Sequence, residues 1–106
     1  SGLVGSEMCI RDSAASKAAL ATWARSLAQS VGPEGKRVNI LAPGYVDTDI
    51  LAGDSPEKRQ QREQEVPLQR VGSPEDMAAT VSFLVGPDSA YITGAILHVN
   101  GGLYLP

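Results

Sequence analysis

Two short apolar runs with the β-branched character of buried strands, Arg37–Ala42 (RVNILA) and Ala95–Val99 (AILHV), stand far apart in the chain with helical stretches between them. That spacing constrains the fold more than any other feature. Each run is closed by a turn signal, Pro43-Gly44 after the first and Asn100-Gly101-Gly102 after the second. Strands separated by helical segments imply parallel pairing through right-handed crossovers, so the predicted class is α/β.

The helices are written just as plainly. From Ala14 to Val31, apolar Leu20, Trp23, Ala24, Leu27, Ala28 and Val31 recur at three and four residues, an amphipathic pattern that Gly32-Pro33 should end. From Thr48 to Gln69 the chain turns charged and polar. Ser55-Pro56-Glu57 signals a helix start there, but SPEKRQQREQE has no apolar stripe, so this helix cannot belong to a core. Ser73-Pro74-Glu75-Asp76 repeats the start signal, and Met77, Ala78, Val81, Leu84 and Val85 then predict a core-facing stripe ending at Gly86-Pro87.

Composition removes several classes of function. The 106 residues carry a net charge of -3 with a pI near 5.0 and no run of Lys and Arg, so no footprint for nucleic acid or an anionic membrane surface is expected. Apolar runs are far shorter than the roughly 20 residues that span a bilayer. One Cys and one His supply neither an internal disulfide nor four zinc ligands, so no metal site is expected and a reducing, cytoplasmic setting is the default. Aromatics make up only 5% while alanine is frequent, which points to a core built by close approach of small side chains.

Residues Ser1 to Asp12 (SGLVGSEMCIRD) lack any periodicity and meet the first helix without a turn signal. The run Leu3–Asp12 resembles the translation of a transposase adapter used in sequencing libraries. On that resemblance, residues 1–12 are a non-native segment, residues 13–106 are the natural part, and Ser13 is a hybrid codon whose original residue is any with a codon ending in a pyrimidine, tyrosine among them. Met8 and Cys9 then carry no chemistry.

Four strings in order carry a second resemblance: Ala14–Leu20 (AASKAAL), RVNILAPGYVDTDI, PLQRVGSPEDMA and YITGAILHVNGG. Together they resemble the carboxy-terminal half of the short-chain dehydrogenase/reductase family, over Ser13 to Leu105. The closing ITGAILHVNGGLYL is most similar to 3-oxoacyl-[acyl-carrier-protein] reductases, although sugar and polyol dehydrogenases of the family end similarly. The resemblance implies a carboxy-terminal fragment of a doubly wound, parallel-sheet Rossmann-like fold. It also implies a parent enzyme, a homotetramer using NADP or NAD, that reduces an acyl-thioester ketone as in fatty acid biosynthesis, or interconverts another small ketone and alcohol.

The family uses a tyrosine and a lysine four residues apart on one helical face, the tyrosine exchanging a proton with the substrate oxygen while nicotinamide exchanges hydride with the carbon. Lowering a phenol of pKa near 10 by about three units takes roughly 4 kcal/mol. A lysine charge about 4 Å away at an effective dielectric of ~20 supplies about that much. Lys17 is the matching lysine, and it would also hold the cofactor ribose. The tyrosine position is Ser13, whose hydroxyl is less acidic and too short. By the same resemblance Pro43-Gly44 ends a strand where ligands bind in open α/β sheets, the backbone around Val46 contacts the nicotinamide carboxamide, and the Thr48 hydroxyl donates to the carboxamide or a phosphate oxygen. Asp47 and Asp49 flank Thr48 and read as solvated or capping, His98 reads as structural, and Asp54–Glu65 reads as a mobile lid over substrate or a plain surface helix.

No glycine-rich phosphate loop follows a strand in this sequence, so the pyrophosphate cradle and the residue that selects NAD or NADP are absent from it. The chain alone is therefore expected to be inactive. The other reading is a non-catalytic family member with a native Ser13, acting as a scaffold through an Ala14–Val31 subunit interface.

Overall fold

The computed structural model describes the backbone of residues 2–106, with side chains for residues 15–49 and 51–106. The side chains of Met8, Cys9 and Ser13 lie outside the described residues. Among the described residues, four helices and two strands occur in the order α1 (Gly2–Val31), β1 (Ile40–Pro43), α2 (Asp49–Ala52), α3 (Pro56–Glu65), α4 (Pro74–Val85) and β2 (Ile96–Val99), with short 3-10 turns at Gly32–Glu34 and Pro87–Ser89. The strands form one two-stranded sheet. Ile40 N–H donates to the Ala95 carbonyl and Gly44 N–H to the Val99 carbonyl, bonds that advance together along both strands, so the pairing is parallel as predicted. Parallel strands joined through helices make the fold α/β.

The residues divide into two compact units. The first comprises Ser1–Ile40 with Thr93–Ala95, and the second Leu41–Ile92 with Ile96–Pro106.

In the first unit α1 begins at Gly2, earlier than the expected Ala14, because no proline or turn pair interrupts the backbone ladder before Val31. Its buried face is alanine: Ala21, Ala24 and Ala28 are buried, while Leu20 and Trp23 of the predicted stripe are exposed. Small side chains allow close approach, and a Cβ built on Gly94 would lie 3.7 Å from the Ala28 Cβ. The helix does not end in a left-handed Gly32. It tightens into a 3-10 turn, and the left-handed residue is Gly35, whose N–H donates to the Gly32 carbonyl. The strand expected from Arg37 starts three residues later, at Ile40. There side chains share the pairing with one backbone bond from Gly94 N–H to the Val38 carbonyl: Val38 N–H donates to Thr93 Oγ1 at 3.0 Å and Ala95 N–H to Asn39 Oδ1 at 3.0 Å.

In the second unit the caps form where the sequence placed them. Ser55 Oγ accepts from Lys58 N–H, and Ser73 with Asp76 completes a reciprocal capping box at the start of α4. The α4 stripe departs from expectation: Leu84 is buried, but Val81 is 45% and Val85 76% exposed. The buried residues of the unit are instead Leu51, Val66, Val71, Leu84 and Ser89. Ser89 Oγ lies 2.7 Å from the Phe83 carbonyl and 2.8 Å from that of Leu84, so its single hydroxyl proton is shared among carbonyls at the end of α4. At the other end of the unit, Gly101 adopts φ +61, and a Cβ there would meet Val66 Cγ1 at 2.6 Å. Only glycine lets the turn after β2 close over Val66.

Asp76 accepts from Arg70 Nη1 at 2.8 Å and from Ser73 N–H at 2.8 Å. The Arg70 guanidinium first, and then the Ser73 bonds, hold its carboxyl well below the usual carboxylate range. A depressed folded pKa stabilises the fold above the unfolded value near 4, and that contribution fades as pH falls further. Ser73→Ala should cost about 1 kcal/mol in urea denaturation at pH 7. Asp76→Asn should lower the urea midpoint at pH 7 and progressively less below about pH 4; an equal loss at both pH values would contradict this role.

Candidate functional site

The segment that leaves β1 holds four of the five residues singled out in the sequence: Pro43, Gly44, Val46 and Thr48, all in the second unit. Lys17, the fifth, lies exposed on α1 in the first unit. Pro43 is the last residue of β1 and is exposed.

Gly44 allows a close approach, but to the protein itself. Its N–H donates to the Val99 carbonyl at 3.2 Å, and a Cβ built on it would lie 2.7 Å from the Asn100 Cβ and 3.0 Å from its Cα. The glycine therefore seats the end of β1 against the turn that follows β2.

Beyond Gly44 the chain pairs once more, through a parallel bridge between Val46 and Gly72. Gly72 N–H donates to the Tyr45 carbonyl and Asp47 N–H donates to the Gly72 carbonyl, each at 2.8 Å. In such a bridge the two flanking residues supply the bonds, and the central residue turns its own N–H and C=O to the opposite side. Val46 thus presents a donor and an acceptor side by side, away from Gly72. Thr48 follows as the N-cap residue of α2. Its carbonyl accepts from Leu51 and Ala52 N–H, each at 3.0 Å, while its hydroxyl makes no capping bond. Asp49 opens α2.

Side chains two apart in extended backbone project to one side, and Tyr45 and Asp47 do so toward α3. Tyr45 Oη donates to Glu65 Oε2 at 2.7 Å, the Arg62 guanidinium lies 5.0 Å from the Tyr45 ring centroid, and Arg59 Nη1 donates to Asp47 Oδ1 at 3.2 Å. Asp47 is thus an ion-pair partner, not a merely solvated or capping residue. Bonding to the Glu65 carboxylate, with burial adding to it, pushes the Tyr45 pKa up. That is the wrong direction for a phenol that exchanges protons near neutral pH.

Asp54, Arg59, Arg62 and Glu65 fall in the segment read from the sequence as a lid or a plain surface helix, and neither their pairings nor Tyr45 are expected from it. The usable signal was complementary charge: an acidic loop with Asp47, Asp49 and Asp54 precedes a helix with Lys58, Arg59 and Arg62. A cleft of about 660 Å³ also lies in this unit, lined by Pro67, Met77, Thr80, His98, Gly101 and Tyr104 among others. His98 is exposed, with its ring 5.4 Å from that of Tyr104. Among the described residues no cluster of three or more His, Cys, Asp or Glu could hold a metal ion, and no helix is long and apolar enough to cross a membrane.

Comparison with known proteins gives consistent matches. The family described as enoyl-(acyl carrier protein) reductase matches residues 4–104. The 3-oxoacyl-[acyl-carrier-protein] reductase of Vibrio cholerae is 42% identical over 92 residues, 87% of this chain and 38% of that protein. That of Aquifex aeolicus is 43% identical over 88 residues, 83% of this chain and 36% of that protein. Among solved structures, a 3-oxoacyl-[acyl-carrier protein] reductase from Brucella melitensis superposes with a TM-score of 0.81 at 35% identity, covering 88% of this chain and 35% of that one. A short-chain dehydrogenase/reductase of the glucose/ribitol dehydrogenase type, also from Brucella melitensis, gives 0.77 at 30% identity, covering 87% of this chain and 37% of that one. The chain spans little more than a third of the length of these relatives.

The contact between Gly44 and Asn100 yields a direct prediction. Gly44→Ala should destabilise the second unit by about 1–3 kcal/mol, as overpacking does. Gly32→Ala is the control, because a Cβ there meets nothing within 4 Å. Thermal or urea denaturation should separate the two, and equal midpoints would show that the close approach at Gly44 is not rigid.

Proposed function

Because the chain belongs to the short-chain dehydrogenase/reductase family, we propose that it supplies the carboxy-terminal part of an NADP- or NAD-dependent reductase of 3-oxoacyl thioesters. The observation that carries the reading is the free side of Val46. A primary carboxamide offers a carbonyl acceptor beside an amino group with two N–H donors, and the Val46 N–H and C=O present the complement to the carbonyl and to one of those donors. Thr48, two residues on, adds a hydroxyl not spent on capping. These residues fit a nicotinamide amide and an adjacent phosphate oxygen without displacing any bond the fold uses.

When bound, the nicotinamide ring supplies or takes up the hydride. The chain's own residues hold and orient. Val46 would fix the ring through its amide, Thr48 would donate to it, and the Lys17 ammonium would bind the ribose hydroxyls and favour the ionised form of a tyrosine one helical turn earlier. We read position 13 as that tyrosine's place and residues 1–12 as foreign to the natural protein, and genomic sequence across the junction before Ala14 tests this reading. The assembled enzyme is proposed to be a homotetramer. The relatives' names favour a ketone over an alkene as substrate, since the 3-oxoacyl reductases match at 42% and 43% identity.

The test is a full-length protein made by joining the amino-terminal half of a family reductase ahead of Ala14, with Ser13→Tyr at the junction. It should oxidise NADPH or NADH when given a 3-oxoacyl thioester. Lys17→Ala in that protein should lower turnover by roughly 100-fold, the usual scale for losing acid–base assistance, and should weaken nucleotide binding in the same variant. Normal turnover with Lys17→Ala would remove that residue from the mechanism.

A further inference from the structure

Helix α3 has an unusual attachment. It contains no buried residue, and its sequence, PEKRQQREQE, offers no apolar side chain beyond the leading proline. Its ends are nevertheless fixed. Ser55 caps the start, and Val66, 2% exposed, anchors the residue after the end. Whatever holds the body of the helix between these points must be polar.

The holding contacts fall on one face. Arg59, Arg62 and Glu65 follow one another at intervals of three, neighbouring positions on a helix surface. Arg59 pairs with Asp47 at 3.2 Å and is steadied by Glu63 at 3.2 Å one turn on. Arg62 pairs with Asp54, whose side chain is only 8% exposed, and lies over the Tyr45 ring. Lys58 approaches the same Asp54 at 3.9 Å. Glu65 takes the Tyr45 hydroxyl. Every partner on the opposite side belongs to the stretch from Tyr45 to Asp54.

That stretch is the one that presents Val46 and Thr48. Tyr45 and Asp47 use their backbone to grip Gly72 and their side chains to grip α3, and Val46 stands between them with its N–H and C=O on the open side. Moving α3 therefore releases the side chains of the two residues on either side of Val46.

We propose that Arg59, Arg62 and Glu65 form an electrostatic latch on Tyr45, Asp47 and Asp54, which makes them positioning residues for the Val46–Thr48 backbone: α3 and this segment open and close as one element. The proposal rests on the reading above only for what Val46 and Thr48 hold. The coupling itself needs no cofactor. A latch made of partly exposed charges is weakened by salt, whereas a latch of buried apolar side chains is not.

The experiment is hydrogen exchange followed by mass spectrometry on the full 106-residue chain without nucleotide. Peptides covering 45–54 and 56–65 are compared between about 0.02 M and about 0.5 M NaCl, across which the screening length falls from ~20 Å to ~4 Å. Residues 40–43 and 96–99 of the sheet serve as internal reference. Both test peptides should exchange roughly threefold or more faster at high salt, the effect of screening a few surface pairs, while the sheet peptides stay unchanged. Arg59→Gln should reproduce the high-salt rates at low salt in both peptides, and Arg59→Lys, which keeps the charge opposite Asp47, should retain most of the protection. The proposal is overturned if α3 is unprotected at low salt or insensitive to salt. It is equally overturned if α3 responds while 45–54 does not, or if the sheet peptides accelerate in parallel. Since no nucleotide is present, failure here leaves the reading of Val46 and Thr48 standing, and failure of that reading leaves the latch intact.

Discussion

Two hydrogen bonds to the backbone of one glycine organise the second unit. Gly72 gives its N–H to the Tyr45 carbonyl and accepts the Asp47 N–H, and in doing so it fixes which way the chain faces after β1 ends. Without this bridge the segment from Tyr45 to Thr48 would be an ordinary loop, free to turn any polar group to water. With it, alternation does the rest: side chains of 45 and 47 go to one side, and the N–H and C=O of 46 go to the side away from Gly72. The residues after Gly72 are fixed in turn by the capping box of Ser73 and Asp76, with Arg70 closing on Asp76 from before the helix. The bridge is thus rooted in a helix start that is well defined in its own right.

Magnitudes explain why the two sides of this segment differ in firmness. The end of β1 is seated by a close approach, Gly44 against Asn100, where even one methyl group does not fit. Burying a single leucine is worth about 1.5–3 kcal/mol, and α3 buries none. It relies on ion pairs of exposed or partly exposed arginines, which contribute less apiece than such a burial. One face of the same short segment is therefore locked by sterics and the other is held by contacts that salt, substitution or an approaching charged ligand can loosen. That asymmetry suits a site that must keep a fixed floor and admit a bulky molecule.

Local chemistry was legible in the sequence wherever a residue acts on its near neighbours. Ser55 and Ser73 cap the helices they precede, the Gly-Gly after Asn100 makes the left-handed turn, and the parallel pairing follows from two apolar runs separated by helices. What depended on distant partners was not legible. The strand expected from Arg37 starts at Ile40 because Thr93 and Asn39 side chains share the pairing before it, and a propensity reading cannot foresee a side chain standing in for part of a ladder. Asp47 looked solvated because Arg59 lies a helix away in the sequence. Val81 and Val85 looked buried because periodicity shows that a helix has an apolar face and not what covers it. At the candidate site, residue types pointed to Pro43, Gly44, Val46 and Thr48 through family resemblance. The reason Val46 can serve is its place in a bridge, a property of pairing that no single residue displays.

Amide exchange resolved residue by residue by NMR tests that bridge most directly. In a parallel bridge centred on Val46, the Asp47 and Gly72 amides are bonded to the protein and the Val46 amide is not. The expected result is slow exchange at Asp47 and Gly72, with Val46, next to the protected Asp47, exchanging close to the rate of an open amide. A protected Val46 with an open Asp47 would mean that the register is shifted by one residue. The donor and acceptor assigned to the carboxamide would then face Gly72, and the functional reading would lose its foundation.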